Sequence, residues 1–199
     1  MKSIRAGFTY QKPAADNYRR VRLPRHLVSL SGKFFALAYS LKGLRFKEIP
    51  IVDSITSSLH FVGPLVYALT WTGVNQAAWL AAIAFFLWGM ASHAFGAVQD
   101  IKPDREAEIN SIATQLGARF TVRLALVAYL LASITVSLIG PRAWPVALAG
   151  LLYVVNVWPY RLLNDENSDR ANRGWRRFLW LNMIMGAVVT ISCVAAVVV

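Results

Sequence analysis

Residues 77–98 read AAWLAAIAFFLWGMASHAFGAV, and this stretch decides the fold because it contains no Lys, Arg, Asp or Glu. An apolar run of roughly twenty residues is long enough to cross the roughly 30 Å hydrocarbon core of a bilayer as a helix. After Gln99 the chain continues as Asp100-Ile-Lys-Pro-Asp104-Arg-Glu-Ala-Glu108. Because an α-helix has about 3.6 residues per turn, acids spaced four apart are expected along one helix face.

A row of carboxylates at the end of a membrane helix has two interpretations. The first is a solvated acidic cap, which is common at helix ends. The second is a magnesium site for a diphosphate, because Mg²⁺ in proteins favours a few carboxylates together with substrate phosphate oxygens. The spacing of Asp100, Asp104 and Glu108 alone does not decide between them.

The composition predicts an all-α, polytopic transmembrane helix bundle. Hydrophobic residues make up 56% of the chain and charged residues 16%, against roughly 25% charged residues in ordinary soluble domains. The charges gather between apolar runs, which predicts about six helices, or five if the short first run lies on the membrane surface. We expect a basic, poorly ordered segment at 1–26 and a single transmembrane domain at 27–199. The runs are 27–41, 54–72, 77–98, 121–139, 144–160 and 178–199.

The basic residues that give the chain its net charge of +11 are distributed as a membrane topology predicts. Basic residues concentrate in the loops 42–53, 99–120 and 161–177, whereas the intervening loops are nearly neutral. Under the positive-inside rule, the basic loops lie in the cytoplasm and the C-terminus lies outside. The charge therefore indicates a lipid bilayer as the partner, and no nucleic acid.

The first 26 residues conflict with this topology. If 27–41 crosses the membrane, the basic residues before it lie on the wrong side. Either the first run does not cross, or the chain is the tail of a longer protein. The residues concerned are Lys2, Arg5, Lys12, Arg19, Arg20, Arg22 and Arg25.

Polar and aromatic residues within the apolar runs have structural interpretations. His60 and His93 are expected to form hydrogen bonds between helices. Ser57, Ser58 and Ser92 are expected at close helix contacts. Three tryptophans near helix ends are expected to anchor the chain at the membrane interface: Trp144, Trp158 and Trp175.

Four segments together resemble the UbiA superfamily of intramembrane prenyltransferases, and within it the actinobacterial lycopene elongase branch. The likeness covers roughly residues 34–199. It is carried by AYSLKGLRFKE at 38–48 with DSITSSLHFVGP at 53–64, by HAFGAVQD at 93–100 continuing through Gly117, and by RANRGWRRFLWLN at 170–182.

The resemblance implies that the six runs correspond to the last six helices of the family fold. Asp100–Glu108 then matches the second of the family's two aspartate-rich motifs. The first, of the type Asn-Asp-x-x-x-Asp, has no counterpart before residue 34, and about three helices are missing with it. NDENSD at 164–169 imitates its letters by chance, in the last cytoplasmic loop. The chain therefore resembles an N-terminally truncated member.

The chemistry that the resemblance implies is transfer of an isoprenyl group from an allylic diphosphate, with dimethylallyl diphosphate as the expected donor and a carotenoid as the lipophilic acceptor. Asp100 and Asp104 would be catalytic and would hold Mg²⁺, with Glu108 as a third metal ligand. Five residues would bind substrate: Tyr39, Lys42, Arg45, Lys47 and Arg105. The expected location is the bacterial cell membrane, as a multi-pass protein.

Each substrate-binding role has an alternative. Lys42, Arg45 and Lys47 also fit plain positive-inside bias, Arg105 fits contact with lipid phosphates, and Tyr39 fits an interface anchor. For the whole chain, the alternative is a non-catalytic membrane remnant, or a subunit that binds lipid or a partner. A small transporter is a weaker third interpretation, because no inverted repeat is visible.

Overall fold

The computed structural model describes residues 23–41 and 49–198. Within these ranges the chain forms seven α-helices, with short 3₁₀-helices in the α5–α6 and α6–α7 connections, and the predicted all-α class is confirmed. The helices are α1 (Arg25–Ser40), α2 (Pro50–Thr72), α3 (Gln76–Val98), α4 (Ile101–Glu106), α5 (Ile112–Ser137), α6 (Trp144–Val157) and α7 (Ala171–Val198). Each of the six predicted apolar runs coincides with a long helix, and α4 is a short addition. Residues 1–22 of the predicted basic segment lie outside the described ranges.

Among residues 23–41 and 49–198, four helical stretches are long and apolar enough to cross a membrane. Neither α1, with 16 residues, nor α2 is among them. The predicted membrane bundle is confirmed. Six helices cover the six apolar runs, and the four span-capable stretches contain α3, α5, α6 and most of α7. They are Gln76–Val98, Ile112–Ser137, Pro141–Tyr160 and Asp165–Ala196.

The helix α3 lies at the centre of the bundle. It packs against α2, α5 and α7. Its inward side chains, such as Phe95 and Val98, are fully buried. By contrast, Leu148 on α6 is 67% exposed and Trp180 on α7 is 75% exposed. Large apolar side chains on outer faces fit a surface that contacts lipid rather than water.

Small and hydroxyl-bearing residues set the close contacts around α3. The Ser58 hydroxyl on α2 donates to the Phe86 carbonyl at 2.6 Å, directly beside Gly89. On the opposite side, the Ser92 hydroxyl lies 3.0 Å from the Tyr129 hydroxyl on α5. The predicted role of Ser58 and Ser92 at helix contacts is confirmed. In a bilayer such contacts satisfy hydroxyl groups that have no water partner.

The start of α5 is built from two successive caps. Ser111 accepts from the Thr114 amide at 3.2 Å, and the Thr114 hydroxyl accepts from the Ser111 amide at 2.8 Å, which forms a capping box. One turn later, Gly117 interrupts the helix with φ 76° and ψ 159°, a conformation that essentially only glycine adopts. The Asp165 carboxylate then accepts from the Ala118 amide at 2.7 Å and caps the second part of the helix.

Candidate functional site

Three polar contacts join the α3–α5 connection to the start of α7 at one end of the bundle. Lys102 Nζ lies 3.2 Å from Asp169 Oδ1, and Arg105 Nη2 donates to Asp165 Oδ2 at 2.5 Å. In the third contact, Asn172 Nδ2 donates to Gln99 Oε1 at 2.7 Å. The loops 99–120 and 161–177, which the charge pattern placed on one side of the membrane, therefore lie together in the structure.

A cavity of about 840 Å³ lies at this same end of the bundle. Residues from α2, α3, α4, the α4–α5 connection and α7 line it. Because the walls come from segments far apart in the chain, the cavity depends on the packing of the bundle. Its lining is Asp53, His93, Gly96, Ala97, Gln99, Asp100, Asp104, Ala107, Glu108, Ile109, Asn110, Ser111 and Trp175.

The three predicted acids all line this cavity. The Asp104 amide donates to the Asp100 carbonyl at 2.8 Å, so that these two aspartates lie one helical turn apart, as their spacing predicts. The expectation of one continuous helical face is wrong for Glu108. The helix α4 ends at Glu106, and Glu108 adopts φ 55° in the left-handed region. Glu108 reaches the cavity from a turn instead.

The electrostatics of the cavity favour a bound cation. Partial burial, and secondly the negative charge of Asp104, raise the pKa of Asp100 above its ordinary value of 3.8. Two neighbouring carboxylates are stabilised when a cation lies between them.

The donor set fits Mg²⁺ better than a metal held entirely by protein. No group of three or more His, Cys, Asp or Glu side chains within 23–41 and 49–198 is arranged to hold an ion by itself. Mg²⁺ is usually bound by one or two carboxylates, with waters and substrate phosphates as the remaining ligands. Asp100 and Asp104 supply hard oxygen donors of this kind at the wall of an open cavity.

The other sequence-predicted residues fall in different places. Lys42, Arg45 and Lys47 lie outside the described ranges. Tyr39 belongs to the last turn of α1, and the structure does not describe its side chain. Arg105 does not line the cavity, because its guanidinium group binds Asp165 and the Thr114 carbonyl.

Two further ionisable residues, Asp53 and His93, also line the cavity. The sequence did not assign either of them to the site. His93 Nε2 on α3 lies 2.7 Å from Asp53 Oδ2 on α2. The predicted interhelical hydrogen bond of His93 is thereby confirmed. His60 Nδ1 lies 2.7 Å from the Thr56 carbonyl of its own helix. The available signal was an ionisable residue on each of two apolar helices, which is costly in a membrane unless the residues are paired.

The position of Trp175 corrects a prediction. The sequence predicted an interface anchor, but the indole lines the cavity and stacks on Phe178 with ring centroids 4.7 Å apart. A methyl group placed at Gly96 would lie 3.0 Å from the Trp175 ring, so the glycine admits the indole against α3. In contrast, Trp144 and Trp158 are exposed, as expected for anchors.

Comparison with known proteins identifies relatives across most of the chain. A lycopene elongase/hydratase of Corynebacterium glutamicum is 48% identical over 161 residues, which are 80% of this chain and 56% of that protein. The C(50) beta-cyclic carotenoids biosynthesis protein LbtBC of Dietzia sp. (strain CQ4) is 49% identical over 162 residues, 79% of this chain and 37% of that protein. A lycopene elongase/hydratase of Haloferax volcanii is 34% identical over 142 residues, 66% of this chain and 47% of that protein.

The chain thus spans about half the length of the curated relatives it matches. No solved structure matches it significantly. The model of the UbiA prenyltransferase family matches residues 23–183. With its span-capable helices and this family match, the chain is an integral membrane protein, and it belongs to the UbiA prenyltransferase family.

Proposed function

We propose that this chain binds an allylic diphosphate in the cavity at the end of α3 and takes part in transferring its prenyl group to a carotenoid. The observation that carries the proposal is the meeting of Asp100, Asp104 and Glu108 in one cavity of a UbiA family member. Dimethylallyl diphosphate is the proposed donor, a lycopene-type carotenoid is the proposed acceptor, and the bacterial cell membrane is the proposed location.

The carboxylates hold the metal and the apolar bundle surrounds the prenyl chain in this proposal. Asp100 and Asp104 bind Mg²⁺, with Glu108 available from the adjoining turn. When bound, Mg²⁺ supplies the positive charge that stabilises the departing diphosphate. The basic loop with Lys42, Arg45 and Lys47 contacts phosphate oxygens, and Arg105 supports the loop through Asp165.

A binding measurement on the purified chain in lipid nanodiscs tests this proposal. We expect dimethylallyl diphosphate to bind only with Mg²⁺, and Asp100→Asn or Asp104→Asn to weaken that binding about tenfold or more, since each removes one charged ligand. Glu106→Gln is the matched control. Glu106 is an exposed acid two residues from Asp104, and it does not line the cavity. Equal affinity in all three variants would remove the cavity from diphosphate binding.

A second candidate function, lipid binding without catalysis, is favoured by a separate groove of about 470 Å³ at the start of α7. Four of its lining residues are arginines, namely Arg170, Arg173, Arg176 and Arg177, and exposed Trp180 lies next to them. Basic clusters beside a membrane helix attract anionic headgroups. Binding of anionic but not zwitterionic lipid, with no Mg²⁺-dependent diphosphate binding, would favour this candidate.

A further inference from the structure

The pair formed by Asp53 and His93 is the feature of the cavity that the proposed metal site does not use. Asp53 lies in the first turn of α2 and is only 5% exposed. His93 lies on α3, and its side chain is 23% exposed. Both residues line the same cavity as Asp100 and Asp104.

The carboxylate of Asp53 is incompletely paired. Its Oδ2 contacts His93 at 2.7 Å, whereas its Oδ1 is buried and has no hydrogen-bond partner among the residues that the structure describes. An isolated buried charge is unfavourable, because neither water nor a counter-charge compensates it. A proton taken up by His93 would turn a buried charge into an ion pair of net charge zero.

The hydrogen bond also determines which nitrogen of His93 remains basic. A carboxylate can only accept a hydrogen bond, so the contact with Asp53 requires the proton of the neutral imidazole on Nε2. The lone pair is then on Nδ1. An imidazole held in one tautomer by a carboxylate, at the wall of a cavity, is the arrangement that general bases use.

Transfer of a prenyl group to an alkene must release one proton. The carbon–oxygen bond of the donor breaks and its electron pair leaves with the diphosphate. The π electrons of the acceptor form the new carbon–carbon bond, which leaves a carbocation on the adjacent acceptor carbon. Either a neighbouring C–H bond gives up its proton and its electrons form a new double bond, or water adds and loses one proton. In both cases a single proton needs an acceptor.

We propose that His93 is the catalytic base that accepts this proton on Nδ1, and that Asp53 is the positioning residue that fixes the His93 tautomer and compensates the resulting charge. This proposal rests on the proposed function, since it concerns the same cavity and the same reaction. It assigns to the α2–α3 wall a role separate from that of the metal-binding wall around α4. The proton leaves His93 for bulk water after product release, which restores the neutral imidazole.

The first test measures the tautomer and requires no turnover. The chain contains three histidines, so nitrogen-15 labelling of histidine in nanodiscs gives few signals, and His93→Gln identifies the signal of His93. We expect neutral His93 to carry its proton on Nε2. We also expect Asp53→Asn to change the nitrogen shifts of His93, while His26 and His60 are unaffected. A proton on Nδ1 in the unmodified chain would overturn the proposal.

The second test separates proton transfer from donor binding. Under single-turnover conditions with excess protein, Mg²⁺, dimethylallyl diphosphate and lycopene, we expect His93→Gln to slow product formation by about a hundredfold or more. Donor affinity in the same variant should change less than threefold. Asp53→Asn should slow product formation less, and it should have no additional effect in the His93→Gln background, because Asp53 acts through His93. Glu106→Gln again serves as the control.

The outcomes distinguish this proposal from the one on which it rests. If the unmodified chain shows no Mg²⁺-dependent donor binding, the proposed function fails. If the donor binds but His93→Gln forms product at the unmodified rate, only the assignment of the base fails. Where the chain alone converts too little substrate to measure, the tautomer measurement decides.

Discussion

Two aspartates one helical turn apart determine how the site responds to pH. Burial and the charge of Asp104 raise the pKa of Asp100. A raised carboxyl pKa means that the proton is held to higher pH, and a protonated carboxyl does not bind Mg²⁺. Acidification should therefore weaken Mg²⁺ binding at a higher pH than an ordinary aspartate, with its pKa of 3.8, would require.

Carboxyl carbon-13 NMR titration of the Mg²⁺-free chain checks this prediction. We expect Asp104→Asn to lower the pKa of Asp100, because it removes the smaller of the two causes, but not to restore the ordinary value, because burial remains. Glu106→Gln should leave the pKa of Asp100 unchanged. An unchanged titration in Asp104→Asn would show that the two carboxyl groups do not interact.

At the scale of the helical element, the contact between α2 and α3 depends on the absence of a side chain at Gly89. A methyl group there would lie 2.6 Å from the Ser58 hydroxyl oxygen and 3.3 Å from its Cβ. Gly89→Ala should therefore push the two helices apart and break the hydrogen bond from Ser58 to Phe86. We expect destabilisation by about 1–3 kcal/mol, as is typical of overpacking.

Thermal unfolding in detergent measures this effect. Gly63→Ala is the matched control, because Gly63 lies within α2, the partner helix of α3 in this contact, and a methyl group there meets no atom within 4 Å. Helix propensity alone should make Gly63→Ala neutral or slightly stabilising. Since Gly89 and His93 lie one turn apart on α3, Gly89→Ala should also disturb the nitrogen shifts of His93. Similar melting temperatures for the two variants would contradict the packing argument.

Local spacing made the elements and part of the site predictable. The uncharged run at 77–98 predicted α3, and the four-residue interval between Asp100 and Asp104 predicted that these two acids lie one helical turn apart. The turn at Glu108 was not predictable from that interval, because α4 ends after six residues. The helix α4 therefore does not reach Glu108, and the periodicity of the sequence does not predict the left-handed backbone of this residue.

Contacts between distant residues were not predictable from the pattern. Asp53 and His93 are separated by 40 residues, and their pairing depends on the register of α2 against α3. The position of Trp175 in the cavity wall was also not predictable, because a tryptophan near a helix end is typical of an interface anchor. Only the facing glycine, Gly96, allows the indole into the cavity wall.

At the scale of the whole molecule, the alternation of charged loops predicts an external C-terminus. The loops 99–120 and 161–177 lie at one end of the bundle, joined by the contact between Arg105 and Asp165. Since α7 leads away from that end for 28 residues, its far end lies on the opposite side of the membrane if the loops are cytoplasmic.

Cysteine labelling in intact cells checks the orientation. Cys193 is the single cysteine of the chain, so it is first replaced by serine. With a membrane-impermeant reagent, Val199→Cys should then be labelled, whereas Glu106→Cys should be labelled only after the cells are opened. Protection of the cysteine at 199 in intact cells would reverse the predicted topology.

The last prediction concerns catalysis by residues 1–199 as a unit. A diphosphate held by two Mg²⁺ ions needs ligands on two sides, and the proposed metal ligands Asp100, Asp104 and Glu108 all belong to α4 or to the residues directly beside it, which form one acidic wall of the cavity. The other acid that lines the cavity, Asp53, is already hydrogen-bonded to His93. One acidic wall can hold one ion, but it does not fix the leaving group against the acceptor. A displacement of about 1 Å can slow a reaction about a hundredfold.

We therefore expect the purified chain, incubated with lycopene, dimethylallyl diphosphate and Mg²⁺, to bind the donor but to form elongated carotenoid slowly. Chromatographic measurement of the product, alongside donor binding in the same preparation, checks this expectation. If a second acidic wall is what is missing, a separately supplied membrane segment carrying an Asn-Asp-x-x-x-Asp motif should increase the rate, and the same segment with its aspartates changed to asparagine should not. Rapid turnover by the chain alone would show that one acidic wall is sufficient.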